Sequence, residues 1–201
     1  TPAGRKLISE GAARVTSMAA ARTGWDGRWL ALHVTIPHSH RTVRKRLYAG
    51  LTWAGFGNPT PGVWVSPHAD RQEEAARLIA ELDLQEHTLS FVGPSGAIGL
   101  SDEDIVARAW DLESLRAYFE EQLDALADID PAPGDPMLFA HIQVVSEWQR
   151  APFKDPQLPE ELLPDWIGHR AAARLAQLRD QWTDAVHDRW REINSEDGTV
   201  G

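Results

Sequence analysis

The segment WDGRWLALHVTIP, residues 25–37, decides the fold that this sequence predicts. Within it, every second position from 30 to 36 is apolar: Leu30, Leu32, Val34 and Ile36. Such alternation is typical of a half-buried β-strand, because successive side chains point to opposite faces. The Asp26-Gly27 pair before it is a turn signal, and Pro37, which lacks a backbone N–H, ends the run. The segment therefore predicts a strand over residues 29–36.

The residues after this strand predict five more elements of a small α/β domain. Apolar residues recur at helical spacing over 41–54, and short strands follow at 56–59 and 62–66. Asp70 and Glu73 suit a capping box at the start of the next helix, and residues 87–92 form the last strand. The order βαββαβ is the ferredoxin-like arrangement.

From residue 101 onward the pattern is helical, so the predicted fold class is α+β. Ser101 with Asp104, and then Asp111, are predicted to cap two helices, and further helices are expected over 136–149 and 168–194. The proline-rich residues 152–164 have few backbone donors and predict an extended strap packed on the helices. Trp53, Trp182 and Trp190 stand at helical spacing and are predicted to lie in the core.

Charge divides the chain unevenly. Residues 1–50 carry nine Lys or Arg and two Asp or Glu, a net of +7, whereas residues 51–201 carry eleven and twenty-eight, a net of −17. An acidic body repels phosphate, so the basic first quarter is the part that suits DNA or an anionic ligand, or it is simply a solvated face. With no cysteine, disulfides and thiolate chemistry are excluded, and no apolar run reaches the ~20 residues of a membrane helix.

Two blocks of the sequence resemble a known family. The first is the tryptophan-rich region WDGRW at 25–29 with PGVWVSP at 61–67, and the second is WQRAPFKDPQLPEELLPDW at 148–166. Both are similar to regions of the phenylacetate-degradation repressors (PaaX-type transcriptional regulators). The resemblance implies a ferredoxin-like central domain at 25–100, a helical C-terminal domain at 101–201 for effector binding and dimerisation, and the tail of a winged-helix domain with its linker at 1–24.

The resemblance also implies a function. It implies a cytoplasmic repressor that binds operator DNA through an N-terminal winged helix missing from this chain, works as a homodimer, and is released by an aryl-acyl-CoA such as phenylacetyl-CoA. It implies no enzyme activity, no cofactor and no membrane partner. An interaction module without a ligand, and a metal-dependent nuclease or hydrolase of ferredoxin-like fold, are the alternatives. At the end of the first strand, however, Thr35 replaces the Asp that many family members carry, and a neutral hydroxyl is a poor ligand for a hard cation.

Five residues are predicted to bind the effector. Trp29 and Trp148 would be aromatic walls, and Arg150 with Arg41 or Arg44 would anchor its anion, in a cleft between the two domains. An ion pair of Arg150 with Glu147, Glu160 or Glu161, and a packing role for the tryptophans, are the structural alternatives. The histidines at 33, 38, 40 and 68 lack the helical spacing of hydrolase zinc sites, so we expect no metal site.

Overall fold

A computed structural model describes residues 24–36 and 40–197. The helix expected near the N-terminus, the residue His38 and the tail after 197 lie outside this range. The chain folds as two compact units. The described residues up to Leu115 together with Asp155–Asp165 form one, called here the sheet unit, and Arg116–Lys154 with the residues from Trp166 onward form the helical unit.

The sheet unit contains the four strands that the sequence predicts. These are β1 (Trp29–Val34), β2 (Gly57–Thr60), β3 (Val63–Ser66) and β4 (Thr88–Gly93). All pairs are antiparallel, in the order β2-β3-β1-β4. With helix α1 (Arg41–Trp53) after β1 and helix α2 (Gln72–Glu81) after β3, the βαββαβ order is confirmed.

Residues on both faces of strand β1 are packed, whereas the edge strand β4 exposes Leu89, Phe91 and Val92. The three alternating residues Leu30, Leu32 and Val34 pack with Leu47 and Leu51 of α1, as the sequence pattern predicts. The opposite face of β1 is not left to solvent. Trp29 and its neighbours pack there against helix α3 (Asp102–Ala109) and against Leu158 of the proline-rich segment.

The predicted helix starts are right in two places and wrong in one. Ser101 accepts a hydrogen bond from the Asp104 N–H in a complete capping box, and Asp111 accepts from the backbone of the following helix, α4 (Leu112–Ala125). The predicted box of Asp70 and Glu73 is absent. A 3-10 turn, Ala69–Arg71, precedes α2 there, and no side chain caps either element.

The proline-rich strap packs against helix α3 as predicted, but it also packs on the sheet and begins later than predicted. Residues 152–154 belong to helix α5 (Asp135–Lys154), and only Asp155–Asp165 are non-helical. That segment, called here the strap, belongs to the sheet unit, where Leu158 lies in the core beside Trp29. Residues with few backbone donors fit this place, because they need few hydrogen-bond partners when buried.

The helical unit is built on α5 and the long helix α6 (Ile167–Asp197). Its core contains Leu138, Val144, Leu175, Leu178, Trp182 and Val186. The prediction that Trp190 is buried is wrong, since it is 55% exposed. Each step of four residues advances about 40° beyond a full turn, so Trp190 has rotated away from the face of Trp182. Trp53 is 48% exposed for a similar reason, because it stands about 200° around α1 from Leu51.

Candidate functional site

Helix α1 concentrates positive charge on the sheet unit. Arg41, Arg44, Lys45 and Arg46 fall in its first two turns, and its first turn contains no acidic residue. Arg44 is half-buried and donates to the Ile36 carbonyl at 3.3 Å, whereas Arg41, Lys45 and Arg46 are exposed. Cations at a helix N-terminus are unfavourable next to the positive end of the helix dipole. This end of α1 is therefore suited to an anion.

Trp29 lies away from that basic helix. It is 4% exposed, on the face of the sheet opposite α1, between Trp25 (centroids 5.4 Å apart) and Trp110 (6.3 Å). Its indole N–H donates to the Asp102 carboxylate at 2.7 Å. The structure therefore does not bring Trp29 together with Arg41 and Arg44, and its enclosed ring packs the sheet onto α3.

The other two predicted residues lie on α5 in the helical unit. Trp148 is half-buried, and the Arg179 guanidinium carbon stands 4.0 Å from the centre of its ring. Arg150 is 68% exposed at its side chain and pairs with Glu147 at 3.1 Å, which is one of the structural alternatives named above. Trp148 with Arg179 over its ring is a pairing of group types that bind aromatic anions, whereas Arg150 stands about 200° around α5 from Trp148.

A polar cluster that sequence reasoning missed links α4 to α5. The Tyr118 hydroxyl donates to the Glu147 carboxylate at 3.0 Å, and the Gln122 amide donates to that hydroxyl at 2.6 Å and to the same carboxylate at 3.0 Å. Burial and the neighbouring Glu147 raise the pKa of Tyr118 to about 12. The spacing of Tyr118 and Gln122 places them on one helix face, but nothing in the sequence indicates that Glu147 joins them.

A pocket adjoins this cluster within the helical unit. It measures about 200 Å³ and is lined mainly by apolar residues, among them Leu126, Ile129, Ala140, Val144 and Leu175. Gln122, Gln143 and Glu147 supply polar groups at its wall. The Gln122 Oε1 atom is buried and has no hydrogen-bond partner among the described residues.

Buried polar residues fix the strap to the sheet unit, and these too were missed. His68 Nε2 lies 2.7 Å from the Gln157 carbonyl, which can only accept, so this nitrogen carries the proton. Arg71 donates to the Ala54 carbonyl at 2.8 Å and to the Gln157 Oε1 atom at 3.4 Å, and within the strap Gln157 N donates to Asp155 at 2.7 Å. His68, Arg71, Asp155 and Gln157 are each at most 7% exposed. The strap is therefore held by desolvated hydrogen bonds as well as by Leu158.

The histidines at 33 and 40 are exposed, unlike the buried His68. Among residues 24–36 and 40–197, no three His, Asp or Glu side chains approach closely enough to hold a metal ion. The Thr35 side chain is exposed just past the end of β1. Within the same ranges, no helix is both long enough and apolar enough to cross a membrane.

Comparison with known proteins places these features in a family. The family described as the PaaX protein central Cas2-like domain matches residues 22–105, and the PaaX-like protein C-terminal domain matches residues 110–192. A curated relative, the transcriptional repressor PaaX of Escherichia coli, is 28% identical over 164 residues, which cover 76% of this chain. The chain spans about half (51%) of that relative's length.

A solved structure shows a similar fold. It is the uncharacterised protein Rv0674 from Mycobacterium tuberculosis, with a TM-score of 0.64 and 20% identity, over 92% of this chain and 73% of that one. At this identity the likeness concerns the fold alone. The two family matches, by contrast, follow one another in order across most of the sequence, and the chain therefore belongs to the PaaX family.

Proposed function

We propose that this chain is the regulatory part of a transcriptional repressor that controls the breakdown of an aromatic acid and is not an enzyme. The observation that carries the proposal is the pair of family matches over 22–105 and 110–192, supported by a relative whose name is transcriptional repressor PaaX. In this proposal the whole protein works in the cytoplasm, where its operator DNA is.

The charge distribution supports a division of labour in the whole protein. Residues 51–201 carry a net charge of −17, from eleven basic and twenty-eight acidic residues, and a surface of this sign repels the DNA backbone. We assign operator binding to a winged-helix domain of the whole protein and dimerisation to the helical unit. Two such domains, held by a homodimer, would read the two halves of a palindromic site.

We further propose an aryl-acyl-CoA, phenylacetyl-CoA being the first choice, as the effector that releases the operator. Trp148 with Arg179 over its ring offers a stacking surface, and Arg150, about 200° around α5 from Trp148, offers a separate cation for the anionic part of the ligand. The pair of Arg150 with Glu147 is exposed and contributes little to stability, so exchanging Glu147 for a ligand phosphate or carboxylate costs little. Arg41 and Arg44 remain candidates for a second anion contact, and a ligand position between the domains stays a prediction.

Titration calorimetry of the chain with phenylacetyl-CoA tests the effector. We expect Arg150→Ala to weaken binding by about ten- to a hundredfold, because one charged hydrogen bond contributes roughly 1.5–3 kcal/mol. Arg191→Ala is the matched control, since Arg191 is equally exposed and pairs with Asp188 at the same spacing on α6. Equal affinities for Arg150→Ala and the unchanged chain would remove Arg150 from the site.

A gel-shift experiment tests the repressor function itself. The whole protein is expected to retard its operator DNA, and phenylacetyl-CoA is expected to abolish this retardation, because the effector favours a conformation with the wrong spacing of DNA-binding domains. If the operator complex forms but persists at saturating phenylacetyl-CoA, the repressor assignment stands and the effector assignment falls.

A further inference from the structure

Strand β4 forms one edge of the sheet and carries exposed apolar side chains. It pairs with β1 on one side, and no strand within residues 24–36 and 40–197 pairs with its other side. Leu89 is 60% exposed and Phe91 is 64% exposed. Both lie on the face of the sheet opposite α1, because they stand beside His33 and Ala31 of β1. A strand edge of this kind offers backbone N–H and C=O groups next to an apolar surface, and it is a template for a further strand.

The sequence around β4 lacks the charges that commonly protect such an edge. Residues 88–101 contain no Asp, Glu, Lys, Arg or His, in a chain of which 25% is charged. Proteins often block an exposed edge with charged side chains or with proline, but Pro94 comes only after the end of β4. The chain has a net charge of −10, so two copies repel each other over most of their surface. The edge of β4 is an uncharged place at which two copies can meet.

The order of side chains along β4 suits pairing with its own copy. If two copies of β4 run antiparallel about a two-fold axis at residue 90, Ser90 stands opposite the partner's Ser90. Leu89 is then opposite the partner's Phe91, and Thr88 is opposite the partner's Val92. Each exposed large side chain thus gains a cross-strand neighbour on its own face of the sheet, and aromatic–aliphatic neighbours of this kind stabilise paired strands. The small serine lies at the axis, where the strands approach each other.

We propose that two copies of this chain pair through β4, antiparallel about a two-fold axis at Ser90, so that their two four-stranded sheets become one. The inference rests on the homodimer of the proposed function and assigns to it a self-contact outside the helical unit. Six residues on each side bury less than the roughly 1,200 Å² of a standard interface. The β4 contact alone should therefore be weak, with a dissociation constant on the order of tens of micromolar.

The sequence contains no cysteine, so a single introduced thiol tests this pairing by disulfide cross-linking. In the proposed register the two Cα atoms at position 90 are about 4.5–5.5 Å apart, a separation that a disulfide spans. The chain with Ser90→Cys, incubated with oxidised glutathione at micromolar concentration, should run mainly as a covalent dimer on a non-reducing gel. Ala49→Cys is the matched control, because position 49 is exposed on α1 of the same unit. It should cross-link at least about tenfold more slowly, since its thiol meets another only by collision.

Lysine substitutions test whether the apolar side chains of β4 hold the contact. Phe91→Lys, added to Ser90→Cys, places a charge beside the partner's Leu89 and should slow cross-linking to the rate of Ala49→Cys. Position 91 is exposed, so thermal unfolding of the chain should change little. Leu89→Lys should have the same effect on cross-linking, and it decides the matter if Phe91→Lys impairs folding.

Two results would overturn the proposal: equal rates for Ser90→Cys and Ala49→Cys, or a Ser90→Cys rate that the lysine substitutions leave unchanged. Sedimentation of the unchanged chain separates this failure from failure of the homodimer itself. If the chain sediments as a dimer and Ser90→Cys does not cross-link, the homodimer stands and the β4 contact falls.

Discussion

Replacing Gly55 by alanine should be among the most destabilising single-methyl changes in the sheet unit. Gly55 follows α1 with φ +78°, a left-handed conformation that costs a residue with a Cβ about 1–2 kcal/mol. The added Cβ would also overlap the Arg71 guanidinium. Arg71 would have to leave the Ala54 carbonyl, which it binds at 2.8 Å, and losing a charged hydrogen bond costs about 1.5–3 kcal/mol. The two effects together predict a loss of about 2.5–5 kcal/mol.

Gly27→Ala is the matched control for the backbone effect. Gly27 has nearly the same φ, +75°, and its added Cβ meets no atom within 4 Å, so only about 1–2 kcal/mol is expected. Urea unfolding followed by circular dichroism gives the free energy of unfolding of both variants. If Gly55→Ala is no more destabilising than Gly27→Ala within about 0.5 kcal/mol, Arg71 can move at no cost and the assignment of a fixed buried guanidinium is wrong.

Three further predictions concern the cap of helix α3, the hydroxyl proton of Tyr118 and self-association of the chain. Ser101→Ala removes the hydrogen bond that the Asp104 N–H donates to the Ser101 hydroxyl at 3.1 Å, and should lower the free energy of unfolding by about 1 kcal/mol. An unchanged free energy of unfolding would mean that this cap of α3 contributes nothing to stability. Because folding raises the Tyr118 pKa from 10.0 to about 12, its contribution is complete below pH 10 and is lost as the pH rises towards 12. Denaturant titrations should therefore show a steeper fall over that interval in the unchanged chain than in Tyr118→Phe, and parallel curves would argue against the shift. Sedimentation equilibrium at micromolar concentration should give twice the 22.3 kDa of the monomer, and a monomer there would place dimer contacts elsewhere in the whole protein.

Local patterns in the sequence were enough to predict most of the sheet unit. The alternation from Leu30 to Ile36 predicts both β1 and the face of it that packs on α1. The start of α3 is predicted by the capping box of Ser101 and Asp104, which spans only four residues. Such features depend on neighbours close in sequence, where spacing determines geometry.

The features that were missed depend on residues far apart in sequence. Arg71 donates a hydrogen bond to Gln157, which lies 86 positions away in the sequence, and Tyr118 donates one to Glu147, which lies 29 positions away. No periodicity within one element indicates which polar residue of another element it will meet, because the packing of the elements decides that. The prediction that Trp190 is buried was wrong for a different reason. Counting residues in steps of four neglects the rotation that accumulates along a helix.

The candidate site shows the same division. Trp148 and Arg150 stay proposed effector contacts. The sequence named Glu147 as one of three possible partners of Arg150, and the structure shows that pair, whereas Arg179 beside Trp148 came only from the structure. Trp29 was selected for standing beside a turn, and the structure shows an enclosed ring instead. A turn-flanking position does not reveal whether a later segment, here the strap, covers it.

The path of the strap limits how this chain can be divided or recombined. The chain leaves the helical unit after Lys154, contributes Asp155–Asp165 to the sheet unit, and returns at Trp166. A fragment cut after Leu115 would lack Leu158 and the carbonyl that binds His68, both part of its own interior. A chimera joined between the two family segments, near residue 108, would pair a sheet from one parent with a strap from the other. Exchange of C-terminal segments within the family therefore requires the sheet surface and the strap to be inherited together.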